Sequence, residues 1–141
     1  MIHIAIVEDE EKYRKQLREY IEQYCEKSGK QIQTSFFQDG EDIIENYTAD
    51  FDLIFMDIQM RFMDGMTAAR EIRKLDKKVI LMFITSIATY AIEGYEVDAL
   101  DYILKPLSYN MFEQKLNRAL LRVDGQEEHY FLIQTSEETL R

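Results

Sequence analysis

LIFMDIQMRFMDG, residues 53–65, decides the fold. It opens on an apolar run, Leu53 to Met56, and places a lone carboxylate, Asp57, directly behind it. It then continues through a loop without histidine, cysteine or serine to Asp64 and Gly65. A continuous apolar run marks a strand buried on both faces of a parallel sheet, since a strand with one wet face alternates instead. Two similar runs flank it, IHIAIV at 2–7 and VILMFI at 79–84.

Helical patterns separate these runs. Tyr13, Leu17, Tyr20, Ile21 and Tyr24 share one face of a 3.6-residue period and make a first helix. QIQTSFF (31–37) alternates Ile32, Thr34 and Phe36 with polar residues, as an edge strand does, and Asp39 then caps a short second helix. Gly65 opens a third helix through Met66, Ala69, Ile72 and Leu75, and ATYAIEGYE (88–96) makes a short fourth. Phe112, Leu116, Ala119, Leu120 and Val123 make a fifth, and ALDYILK (99–105) supplies the last strand. Five strands alternating with five helices predict a doubly wound α/β parallel sheet with helices on both faces. Because the second strand reads as an edge, the flavodoxin-like order 2-1-3-4-5 fits best.

The 141 residues have room for one domain with a full core and a tail. Acids outnumber bases 27 to 17, for a net charge of −10, and no run of bases exceeds the pair Lys77-Lys78; such a chain should repel phosphate backbones and anionic membranes. The apolar runs fall far short of the ~20 residues that cross a bilayer. MIHIAIVEDEE carries no basic leader, so a cytoplasmic protein is expected. The single cysteine, Cys25, reads as a small core residue.

In an open parallel sheet, ligands bind beyond the carboxyl ends of the strands. The residues there are Glu8-Asp9, Asp57, Thr85-Ser86 and Lys105-Pro106. Each has an ordinary explanation alone, as a helix cap or a solvated lysine, but together they converge on one crevice. Three carboxylates about 4 Å apart repel by about 4 kcal/mol per pair at an effective dielectric of 20, so a cation must answer them. An all-oxygen site suits Mg²⁺, with Mn²⁺ able to substitute. Lys105 and the Thr85 hydroxyl then suit the oxygens of a phosphoryl group. The remaining role is a nucleophile, and the central Asp57 can take it, attacking phosphorus to form an acyl phosphate.

With these residues in place, the sequence resembles the receiver domain of bacterial two-component response regulators. VEDE (7–10), MDIQM..MDG (56–65), ITS (84–86) and DYILKP (101–106) carry the resemblance across residues 1–123. It implies phosphorylation of Asp57 by a sensor histidine kinase, with Mg²⁺ held by Asp9, Asp57 and the backbone carbonyl of Gln59, and reached by Glu8 through water. It also implies Thr85 and Tyr102 as the switch pair. Beyond slow self-dephosphorylation, in which Gln59 and Ile87 would govern the path of water, no enzymatic turnover is expected. TSIATYAIEGYEVDALDYILKPL (85–107) further resembles the LytTR class, in which the receiver precedes a β-rich DNA-binding domain. HYFLIQTSEETLR (129–141), with its strand-like YFLIQT, is similar to the start of that domain. Residues 124–141 are therefore read as a linker and the beginning of a missing output domain. DNA contact would belong to that domain, and the output is expected to be transcriptional. The face formed by the fourth helix, fifth strand and fifth helix, with Tyr90, Tyr95 and Tyr102, is the candidate homodimer and output surface. One departure stands out: where the family usually has proline four residues after the acceptor, this chain has Arg61, followed by Phe62.

Two rival readings remain. A receiver that binds partners without phosphorylation is the alternative, and Arg61 favours it mildly. A Mg²⁺-dependent phosphohydrolase of the haloacid dehalogenase type needs a second aspartate two residues after the first, where this chain has Gln59.

Overall fold

A computed structural model describes residues 1–86 and 95–140, the side chains of Tyr95 and of 126–140 excepted. Five parallel strands, β1 (Ile2–Val7), β2 (Ile32–Phe37), β3 (Leu53–Asp57), β4 (Ile80–Thr85) and β5 (Asp101–Leu104), form one sheet in the order β2-β1-β3-β4-β5. This is the doubly wound, flavodoxin-like order expected from the sequence. The described helices are α1 (Glu11–Ser28), α2 (Gly40–Glu45), α3 (Gly65–Leu75) and the C-terminal α4 (Tyr109–Leu140), with a 3₁₀ turn at Tyr95–Val97. The expected fourth helix over 88–96 lies mostly outside the described residues, as do Ile87 and Tyr90.

The period of two along each strand sorts the core into two layers. Ile4, Ile6, Leu53, Phe55, Met82 and Ile84 face α1 and α4. Ala5, Val7, Ile54, Met56, Leu81 and Phe83 face α2 and α3. Leu17, Ile21 and Tyr24 of α1 and Phe112, Leu116, Ala119, Leu120 and Val123 of α4 fill the first layer, on the stripes their spacing predicts, and Cys25 packs partly buried against it. β2 lies at the edge, and each of its residues keeps some exposure. Leu75 departs from its stripe: it is the last residue of α3 and 62% exposed, because the helix has run past the sheet that would cover it.

A cap and a glycine seat α3 above the sheet. Asp64 accepts the backbone N–H of Thr67 at 2.8 Å and starts α3. Gly65 must be glycine: a Cβ there would lie 2.0 Å from the Asp57 carbonyl oxygen, so only a bare Cα lets α3 begin against the end of β3.

The tail differs from the strand-like reading of residues 130–135, since the backbone continues α4 to Leu140. A lone strand leaves its N–H and C=O groups unpaired, whereas a helix satisfies them within itself, so helix wins where no strand among the described residues pairs with the segment.

Candidate functional site

Because the strands are parallel and in register, with Val7 opposite Met56, Asp57 opposite Ile84 and Thr85 opposite Leu104, their carboxyl ends share one rim. Backbone bonds lock it: Glu8 N–H donates to Phe37 at 3.0 Å, Ile58 N–H to Ile84 at 3.3 Å and Lys105 N–H to Thr85 at 2.8 Å. Glu8 follows β1, Asp57 and Thr85 end β3 and β4, and Lys105 follows β5. Glu8, Asp57 and Thr85 are 0%, 2% and 1% exposed.

Lys105 is the counter-charge. Its Nζ stands 3.1 Å from Glu8 Oε2 and 3.6 Å from Asp57 Oδ1, and rests 4.0 Å from the centre of the Tyr13 ring. One ammonium thus faces two buried carboxylates. Burial first, then the Glu8 charge, pushes Asp57 up to about 8 from 3.8, with Lys105 opposing. Burial likewise raises Glu8. Burial alone would lower Lys105, but the Glu8 and Asp57 charges more than offset it and raise it.

The rim is left electrostatically incomplete. Asp57 Oδ2 and Asp9 Oδ1 are buried acceptors that no donor reaches. Each such group costs about 1–3 kcal/mol unless something answers it. Glu8, Asp9 and Glu10 also place one carboxylate oxygen each within 4.8 Å of one another. Donors of oxygen alone, crowded and unsatisfied, fit a hard divalent cation. A cavity of about 720 Å³, lined by Asp9, Gln59, Arg61, Asp64 and Arg70 among others, opens beside them.

The structure brings Glu8, Asp57 and Lys105 into one ion-paired cluster. Asp9 is next to Glu8, and Thr85 lies at the adjoining strand end. The exposed Gln59 accepts a bond from the Ser86 hydroxyl at 3.3 Å, which ties the β3–α3 loop to the end of β4. The partly buried Tyr102 packs against the layer of α2 and α3. Glu10, Tyr13, Arg14 and the wider role of Asp39 escaped the sequence reading. Tyr13 lay in plain view as the first member of the α1 stripe, but its service as a seat for Lys105 depends on a residue far along the chain. Arg14 donates to the Glu8 carbonyl at 2.8 Å. Asp39 caps α2 through Glu41 N–H at 3.1 Å and also accepts Phe62 and Met63 N–H, each at 2.9 Å, so one buried carboxylate fastens the loop that carries Arg61 and the exposed Phe62.

Known proteins share the family and the fold of this chain. The family model described as response regulator receiver domain matches residues 4–117. The sensory transduction protein LytT of Oceanobacillus iheyensis is 32% identical over 120 residues, 83% of this chain and 47% of that protein. LytR of Staphylococcus haemolyticus is 33% identical over 78 residues, 55% of this chain and 30% of that protein. The chain thus spans half or less of the length of these curated relatives. Among solved structures, the response regulatory domain of protein mrkE from Klebsiella pneumoniae superposes with a TM-score of 0.76 at 29% identity, over 88% of this chain and 99% of that one. The response regulator TrrA from Thermotoga maritima, in complex with Mg²⁺ and BeF, superposes with a TM-score of 0.71 at 24% identity, over 84% of this chain and 99% of that one.

Proposed function

The chain belongs to the response regulator receiver domain family, and from that premise we propose that it is a phosphorylation-dependent signalling switch whose acceptor is Asp57. The observation that carries this reading is the buried, donor-less Oδ2 of Asp57, on a carboxylate whose other oxygen is paired with Lys105. That oxygen has no protein hydrogen bond to give up, and its chain neighbour Ile58 lines the adjoining cavity.

In the proposed reaction an Asp57 oxygen attacks phosphorus in line with the leaving group. The new O–P bond forms as the bond to the donor breaks, and the donor leaves with the bonding electron pair. Lys105 bonds a phosphoryl oxygen, and the Thr85 hydroxyl donates to another once the product has formed. Asp9, Asp57 and the Gln59 carbonyl, with Glu8 through water, would hold Mg²⁺ or Mn²⁺. The ion would supply positive charge to offset the repulsion between a carboxylate and an incoming phosphate. The chain's own part is to keep Asp57 buried, central and, beside the cation, ionised.

A sensor histidine kinase is the phosphodonor that the family implies. The output would pass through a separate domain of the LytTR class, which would hold any contact with DNA, in the cytoplasm. No described helix is long and apolar enough to cross a membrane. The face where β5 meets α4 is the candidate dimer surface; there Asp101 of β5 already pairs with Lys115 and Arg118 of α4.

The test is intact mass after incubation with acetyl phosphate and Mg²⁺. Wild type should gain roughly 80 Da, one phosphoryl group, and Asp57→Asn none. Labelling that survives Asp57→Asn removes the assignment. Wild type that never gains mass would favour a receiver acting without phosphorylation.

A further inference from the structure

At the opposite end of the sheet, where β4 and β5 begin, lies a second cavity of about 160 Å³. Arg73, Lys77 and Lys78 reach it from the end of α3 and the turn that follows, and Arg118 and Arg122 from α4, while Asp98 is the one lining carboxylate among the described residues. Five of the chain's 17 bases thus surround one small cleft of a protein whose net charge is −10. We propose that this cleft binds a phosphate-class anion.

Local structure uses only part of this charge. Arg73 spends its donors on backbone carbonyls, those of Val97 and Val79 at 2.6 Å, Asp98 at 3.2 Å and Asp76 at 3.4 Å. It braces the wall, and its positive charge stays in place. Arg118 pairs with Asp101 at 3.1 Å through Nη1 and is otherwise open to solvent. Lys77 and Arg122 have no ion-pair partner among the described residues. Arg73 stands in the last turn of α3, where a base complements the carbonyl end of the helix. That accounts for neither Arg118 nor Arg122, which stand one helical turn apart on a different helix.

Size and donor chemistry select the ligand. Pockets for drug-sized molecules run to about 300–1,000 Å³, so this cleft admits one or two phosphate groups rather than a whole nucleotide. Guanidinium forks match phosphate oxygens in pairs, and the lysines add point charge. The anion is free phosphate or pyrophosphate, or the phosphate end of a larger molecule whose remainder stays in solvent.

The experiment follows the amide spectrum of ¹⁵N-labelled protein without Mg²⁺, titrated with pyrophosphate or with adenosine 5′-monophosphate, at ionic strength held constant with chloride. Saturable shifts clustered at residues 77–80 and 98–100 are expected. Tighter binding of pyrophosphate identifies the free anion as the ligand, and tighter binding of the nucleotide a carried phosphate. Lys77→Glu combined with Arg122→Glu, both at exposed positions, should weaken binding about tenfold or more, and Lys77→Arg should preserve it. Shifts that do not saturate, that appear only at the Asp57 end, or that persist unchanged in the double variant would overturn the proposal.

Discussion

At the scale of the residue, Asp57 shows how burial creates chemistry. A carboxyl raised from 3.8 to about 8 binds its proton more readily in the folded than in the unfolded state. Without divalent cations its stabilising effect is therefore complete at acid pH and is lost as pH climbs through about 8. Glu8, also raised, acts in the same direction. Lys105 does not disturb this window: it is raised above 10.5, so its contribution falls away only at higher pH. In EDTA the melting temperature should decline from pH 5 toward pH 8.5, and Asp57→Asn should flatten much of the slope. Identical slopes in the two proteins would show that Asp57 carries no such shift. Asp57 itself was legible in the sequence, as a carboxylate behind an apolar run. Its proton affinity was not, because that depends first on burial and then on Glu8 and Lys105, which lie far from it in the chain.

At the scale of the element, two contacts seat the β3–α3 loop where proline is missing. Asp39 joins the start of α2 to Phe62 and Met63, so Asp39→Ala removes a helix cap and two loop bonds together. A loss of about 2–4 kcal/mol in urea denaturation is expected, with Asp39→Asn retaining part of it; a loss no larger than that of an ordinary surface substitution would show the bridge to be idle. Gly65 is the second contact. Gly65→Ala must push α3 away from the Asp57 carbonyl, and overpacking of this kind costs about 1–3 kcal/mol. Because the displaced helix borders the acceptor, labelling by acetyl phosphate should slow as well, and an unchanged rate would separate the helix position from the chemistry. The cap on α2 was readable from Asp39 beside a helical pattern. Its two longer bonds were not, since nothing local marks which loop will pass over it. The strand-like tail failed for a related reason: alternation specifies a face, but a strand also needs a neighbour.

At the scale of the whole molecule, an acidic chain gathers opposite charges at its two ends. The carboxylate rim should bind Mg²⁺ in the folded state alone, so Mg²⁺ at ten times its dissociation constant should stabilise the protein by about 1.4 kcal/mol. The melting temperature should then rise by a few degrees, an effect that Asp9→Ala reduces; no shift at millimolar Mg²⁺ would count against the rim as a metal site. The sheet order, the strand-end location of Asp57 and most of the core were determined by sequence alone, because hydrophobic period and strand ends are local patterns that a parallel α/β fold can satisfy in few ways. Only the tertiary structure decided which charges meet. It set Lys105 between Glu8 and Asp57 over the Tyr13 ring, fastened the Phe62 loop to Asp39, and drew Arg73, Lys77, Lys78, Arg118 and Arg122 around one cleft. Net charge and the absence of a basic run concealed that cleft, because electrostatic interaction depends on distance in space, and the fold brings residues 73 to 122 together where the chain keeps them apart.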